Sequence, residues 1–243
     1  MTKKTCIISS GRSGTQLLLR SLCSHPQILD NKSPEPFGYL LNSFEYYTPF
    51  IKSAFGIKDD DLLLATRYFS KCDMYKYLDH IFENEDLVKI LYWQATEYVL
   101  EYLVKHLDIL IIHLVRQDIV NSYISTVKLD RLLENIEDKI WIDVKEASDH
   151  IDFWLDQKAC VDEMFKDRQI CITYEGLIAD WESTMAMLFS NMSVDPYDAP
   201  MVVSREKTTP IDSYIENPDA ISELRAKYAF FAKNRLTEPL YGV

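Results

Sequence analysis

Ser9-Ser10-Gly11-Arg12-Ser13-Gly14-Thr15-Gln16 follows the apolar run Thr5-Cys6-Ile7-Ile8 and precedes Leu17-Leu18-Leu19-Arg20-Ser21-Leu22. The run before it has a strand's length and no charged residue, so Thr5 to Ser9 reads as a buried strand. The leucines at 18, 19 and 22 fall on one helical face, so a helix follows from about Thr15 to Ser24. Small residues between the two let backbone amides approach an anion, and the helix points its positive end at the same place. Arg12 adds a fork of N–H donors, while Ser13 and Thr15 add hydroxyls. A turn whose glycines only satisfy backbone geometry is the alternative. It is weakened by position, because two of the chain's six glycines stand here, after the first strand and at the start of a helix.

Working outward, the same alternation repeats. Ser33-Pro34-Glu35-Pro36 forces extended or turn geometry, since each proline fixes its own φ and biases the residue before it away from α. From Phe37 to about Phe82 the chain is aromatic and helix-compatible, with breaks near Gly56 and Lys71-Cys72-Asp73. Leu87 to Tyr92 reads as a strand and Gln94 to His106 as a helix. Ile109-Leu110-Ile111-Ile112-His113-Leu114-Val115 is the strongest strand, an unbroken apolar run suited to the centre of a parallel sheet. Helices are expected at about Ile119 to Leu133, Ile142 to Phe165, Trp181 to Met192 and Asp219 to Lys233, with a strand at Gln169 to Thr173. Strands alternating with helices predict an α/β fold with a central parallel sheet, in which ligands bind beyond the carboxyl ends of the strands. No repeat or composition shift marks a second domain in 243 residues.

Composition narrows the function classes. Lys and Arg number 26 against 38 Asp and Glu, a net charge of −12. A surface this acidic opposes nucleic-acid backbones and anionic membranes, whose affinity comes from basic residues. Neither a signal segment nor a membrane span fits the amino-terminal sequence, which predicts a cytoplasmic protein. The five cysteines are scattered without a Cys-x-x-Cys pair, which predicts buried free thiols. The five histidines show no i, i+4 pairing, so no metal is expected.

The loop departs from the nucleotide-triphosphate pattern Gly-x-x-x-x-Gly-Lys-Ser/Thr, because Thr15 follows Gly14 and no Lys-Ser/Thr pair supplies a magnesium ligand. This weakens a small-molecule kinase reading. Ser9 to Leu18 instead resembles the loop by which sulfotransferases bind the 5′-phosphosulfate of 3′-phosphoadenosine 5′-phosphosulfate (PAPS). The resemblance implies a three-layer, P-loop-like α/β fold in one domain over residues 1–243. It implies transfer of the sulfuryl group to a hydroxyl of a small-molecule, carbohydrate or lipid acceptor, with 3′-phosphoadenosine 5′-phosphate (PAP) as product and no metal. Gly11, Arg12, Ser13, Gly14, Thr15 and Gln16 would then cradle the donor, and Arg12 would also take part in the chemistry.

His113 to Ser125 looks like the segment of the bacterial carbohydrate and glycolipid branch in which Arg-x-Asp is followed by a serine nine positions after the arginine. The resemblance implies that Arg116 and Ser125 bind the 3′-phosphate, with Ser122, one helical turn earlier, as the alternative. Pro34-Glu35-Pro36-Phe37 is similar to the branch's Gly-Glu-Pro-Phe stretch and makes Glu35 the candidate general base; His113 is the alternative base, or else a core histidine. Val88 to Gln94 resembles Gly-Lys-Leu-Met-Trp-Asn-Gln, which makes Lys89 a candidate electrophilic helper or, failing that, a snorkelling edge lysine. Thr173 to Leu177 looks like the family's late Tyr-Glu-x-Leu turn and is read as structural. Arg205 and Lys207 stand where the family often closes over the nucleotide. A catalytically silent nucleotide-binding relative is the remaining alternative. Oligomeric state stays open, although dimers are common in the bacterial branch.

Overall fold

The structure is a computed structural model and describes residues 2–29, 35–37, 41–57, 66, 69–133, 139–201 and 214–233. Four strands, β1 (Thr5–Ser9), β2 (Leu87–Leu91), β3 (Leu110–Val115) and β4 (Gln169–Thr173), form a parallel sheet in the order β2-β1-β3-β4. The helices among the described residues are α1 (Thr15–Cys23), α2 (Leu41–Phe55), α3 (Lys71–Asn84), α4 (Glu97–Lys105), α5 (Ile119–Leu133), α6 (Val144–Phe165), α7 (Tyr174–Ala179), α8 (Trp181–Asn191) and α9 (Pro218–Lys233). From β1 the chain leaves toward β2, and from β3 it leaves toward β4. The crevice between the carboxyl ends of β1 and β3 is thus the switch point of the sheet, the place where an open α/β sheet binds its ligand.

Alternation along the strands explains the layers. In β1, Cys6 and Ile8 face one side and Ile7 the other, because successive side chains of a strand point to opposite faces. Cys6, Ile8, Val88, Ile90 and Ile111 pack against buried residues of α2 to α6 and α9, among them Tyr47, Tyr77, Leu103, Ile124, Trp154 and Leu224. Ile7, Leu87, Ile112, Leu114 and Ile172 pack against Leu18, Leu19 and Leu22 of α1, Leu177 of α7, and Met185, Leu188 and Phe189 of α8. Each of these fully buried aliphatic side chains contributes about 1.5–3 kcal/mol through removal from water. The three-layer parallel α/β architecture expected from the sequence is what the structure has.

Several boundaries differ for local reasons. β2 stops at Leu91 and α4 starts at Glu97 rather than Gln94, because the Gln94 side chain closes the turn by accepting from the Leu91 amide at 2.7 Å. α6 begins at Val144, capped by Asp143, whose carboxylate accepts from the Glu146 amide; Ile142 is held outside it by two bonds to the Asn217 side chain. Gly56, with φ +68°, ends α2 in the left-handed conformation that helix C-termini favour. The break expected at Lys71-Cys72-Asp73 is the start of α3, where the Ser70 hydroxyl accepts from the Asp73 amide. Tyr174–Ala179 is a short helix and not a plain turn. All five cysteines are free, but only Cys6 is buried; Cys72 and Cys160 are exposed, which corrects the expectation of buried thiols. No helix among the described residues is long and apolar enough to cross a membrane.

Candidate active site at the carboxyl edge of the sheet

The loop after β1 winds through two left-handed residues, Arg12 at φ 58° and Gly14 at φ 86°. The left-handed region costs a side-chain-bearing residue about 1–2 kcal/mol, so Arg12 is held there by its surroundings. Alternating hands of this kind turn successive amides toward one point and make an anion-binding concavity. At Gly14 a side chain is excluded twice over. A Cβ would lie 2.3 Å from Cδ2 of Tyr174, and φ is wrong for an L residue. Gly14→Ala is therefore expected to lower the thermal unfolding midpoint by roughly 5 °C, from a backbone and packing penalty of about 2 kcal/mol. An unchanged midpoint would mean that the Tyr174 ring moves aside freely.

The side chains of this loop divide their work. Ser13 is buried and turned inward, its Oγ donating to the Ser10 carbonyl at 2.7 Å and meeting Ser9 Oγ. The Ser13 hydroxyl thus braces the loop. Thr15 is buried at the start of α1. Gln16, one residue further, donates from Nε2 to Oε1 of Glu35.

Glu35 also receives Lys89. The Lys89 ammonium lies 2.8 Å from Glu35 Oε1, with the lysine side chain 6% and the glutamate side chain 17% exposed. Lys89 is a β2 residue in register with Ile7, so it projects from the α1 face of the sheet. A buried ammonium is tolerated when a carboxylate neutralises it. Burial lowers the Lys89 pKa from the ordinary lysine value, and the Glu35 carboxylate opposes that lowering. The backbone of the Glu35 loop is anchored on its far side. Tyr77 Oη donates to the Pro36 carbonyl at 2.5 Å, and Gln94 Nε2 donates to the Phe37 carbonyl at 3.0 Å. Gln94 therefore joins the end of β2 to the Glu35 loop with both ends of its amide, a role that its place in an expected helix concealed. Tyr77 belongs to the aromatic stretch and packs edge-on against Phe37, Tyr47 and Phe69. These aromatics fill the core.

The second turn, after β3, meets the first. Arg116 Nη1 donates to the Arg12 carbonyl at 2.8 Å, and Arg12 Nε donates to Ser125 Oγ at 2.9 Å. Arg12, Arg116 and Ser125 thus form one cluster over the switch point, with Arg12 bridging the pair that the sequence motif joined directly. The Arg116 guanidinium lies 5.1 Å from the centre of the Tyr174 ring, a cation–π contact. Arg116 Nε and Ser122 Oγ are buried without a hydrogen-bond partner among the described residues. Orphaned buried polar atoms are rare in proteins, and a site for a polar ligand is one of their explanations. The amides of Gln117 and Asp118 donate to the two carboxylate oxygens of Glu175, at 3.0 and 3.3 Å.

His113 lies apart from Glu35. It is in register with Ile8 and so projects from the opposite face to Lys89. Its Nε2 is 2.7 Å from the Tyr92 hydroxyl and its Nδ1 is 2.9 Å from Asp162, which also receives Lys158. Burial would raise the Asp162 carboxyl, but its hydrogen bonds with His113 and Lys158 hold it below the usual carboxylate range. Every feature of His113 is that of a satisfied core histidine. Among the described residues, one group, His113, Asp162 and Cys171, has ligand atoms close enough together for a metal ion. A cation there would compete with Lys158 for Asp162. Arg205 and Lys207 lie outside the described residues.

No family model matches the chain, and no curated protein matches it in sequence. Its structure is similar to that of the sulfotransferase from Alicyclobacillus acidocaldarius, with a TM-score of 0.56, 14% identity, and 95% of this chain and 93% of the other covered. It is also similar to the sulfotransferase domain from the curacin biosynthetic pathway, with a TM-score of 0.50, 17% identity, and 100% and 94% covered. The fold of this chain is that of the sulfotransferases.

Proposed function

We propose that the protein is a PAPS-dependent sulfotransferase that moves the sulfuryl group to a hydroxyl of a small-molecule, carbohydrate or lipid acceptor. The observation that carries this reading is the meeting of Lys89 and Glu35 at 2.8 Å, beside Gln16 at the head of α1. A carboxylate and an ammonium from separate parts of the chain stand next to an anion-binding loop, on the edge of the sheet where the acceptor and donor would meet. The similarity runs over nearly the whole of both chains, which supports reading residues 1–243 as one sulfotransferase domain.

The chemistry follows from those groups. Glu35 accepts the proton of the acceptor hydroxyl as its oxygen bonds to sulfur on one side, while the bond from sulfur to the bridging oxygen of the donor breaks on the other. Lys89, released from Glu35 as the carboxylate takes up the proton, turns its ammonium toward the bridging oxygen, where negative charge develops. Arg12 and the amides of residues 12 to 16 hold the 5′-phosphosulfate, and Arg116 with Ser125 holds the 3′-phosphate. The unpartnered Arg116 Nε supports this assignment; Ser122, the alternative to Ser125, is wholly buried. Three cations at one crevice make a local positive field within an acidic molecule.

The test is incubation with 35S-labelled PAPS and pooled glycans, glycolipids and phenols, followed by separation of labelled products. Transfer of label to a hydroxyl compound is expected. Calorimetry separates the kinase rival, which would bind ATP with magnesium and not PAP, and the labelled products separate a silent relative, which would bind nucleotide without turnover. The anchoring of the Glu35 loop adds a further expectation. Gln94→Ala should lower kcat by about tenfold while PAP affinity holds, since a small misplacement of a reacting group is costly. Equal kcat would show that Tyr77 alone fixes the loop.

A further inference from the structure

Tyr174 and Glu175 open α7, on the strand farthest from β2, yet both reach the switch point. Tyr174 lies against Gly14 on one side and under the Arg116 guanidinium on the other. Glu175 takes the amides of Gln117 and Asp118, the two residues between Arg116 and α5. The turn bearing Arg116 is thus fastened to β4's following helix by a carboxylate that uses both of its oxygens. α7 itself is held in place by its cap, where the Thr173 hydroxyl accepts from the Gly176 amide at 3.0 Å. A carboxylate beside a site for a polyanion opposes binding by its charge, so its presence there calls for a geometric role.

We propose that Glu175 is a positioning residue for donor recognition: its carboxylate sets the turn at Gln117 and Asp118 and thereby aims Arg116, giving the site its preference for a nucleotide bearing a 3′-phosphate. The inference rests on the donor reading above. Glu175 touches no ligand and acts through the two amides. A carboxamide at this position keeps the shape of the side chain but has one acceptor oxygen in place of two, so one amide loses its partner. An aspartate keeps the charge but is too short to reach both.

The experiment titrates the intact protein, Glu175→Gln and Glu175→Asp with PAP and with adenosine 5′-phosphate, which lacks the 3′-phosphate. Wild type is expected to prefer PAP. In both variants PAP affinity should fall by about tenfold while adenosine 5′-phosphate affinity stays within about twofold, so that the preference shrinks. The second ligand reports the folded fraction of each variant, and a purely structural role would lower both affinities together. A preference unchanged from wild type, or PAP affinity that rises when the charge is removed, overturns the inference. A wild-type protein that does not distinguish the two nucleotides overturns the donor reading itself, and this inference with it.

Discussion

Glu35→Gln is expected to lower turnover by about 10²-fold or more while leaving PAP affinity within about twofold, which steady-state rates with a labelled acceptor and calorimetry would establish. The carboxamide oxygen can still accept from Lys89, so the loop keeps its anchor to β2; what disappears is the ability to take a proton. A second consequence follows from the pairing of Lys89 with Glu35. The Glu35 carboxylate opposes the lowering of the lysine pKa by burial, so its removal lets that pKa fall further. The variant then loses the partner that steadies the Lys89 ammonium as well as the base. If the two act as a unit, adding Lys89→Met to Glu35→Gln should cost little more than the single change, as for catalytic groups that depend on each other. Turnover unaltered by Glu35→Gln would remove it as the base.

Arg116→Ala should weaken PAP binding on the order of 10²-fold, the scale for losing one partner of a desolvated charged contact. The loss of adenosine 5′-phosphate affinity should be several-fold at most. The comparison matters because Arg116 has two visible contacts of different kinds. Its Nη1 braces the Arg12 carbonyl, and its guanidinium lies over Tyr174. Should bracing be its whole purpose, the phosphosulfate loop would slacken and both nucleotides would suffer equally, and the assignment to the 3′-phosphate would fall.

What could be read in advance depended on how local each signal was. The run Ile109–Val115 and the leucines of α1 identify their elements because periodicity is carried within a few residues, and four alternating strands and helices lead to a parallel sheet. The short helix at Tyr174 leaves no mark in the sequence, since six residues containing Gly176 have the composition of a turn. Gln94 stands at the head of a segment of helical pattern; its bridging role depends on where the Phe37 carbonyl lies in space. The same holds at the site. Arg12, Glu35, Lys89 and Arg116 stand out by motif, but the contact of Lys89 with Glu35 is set by the register of Lys89 with Ile7, and the bridging of Arg116 and Ser125 by Arg12 is set by the path of a left-handed loop. His113 is decided by register alone, since the neighbour of Ile8 must face away from the neighbour of Ile7.

The strand order also bears on how the chain is made. β1 leaves the ribosome before both of its partners, since Thr5 pairs with Leu87 on one side and with Leu110 on the other. At about 5–20 residues per second, its apolar edges wait several seconds for their partners. Through that interval an unpaired strand invites association with other nascent chains, and of the described helices α1 to α3 are the ones made in time to cover it. Slower synthesis between β1 and β3 should therefore lower the yield of native protein, and chaperone capture of the β1 segment should raise it.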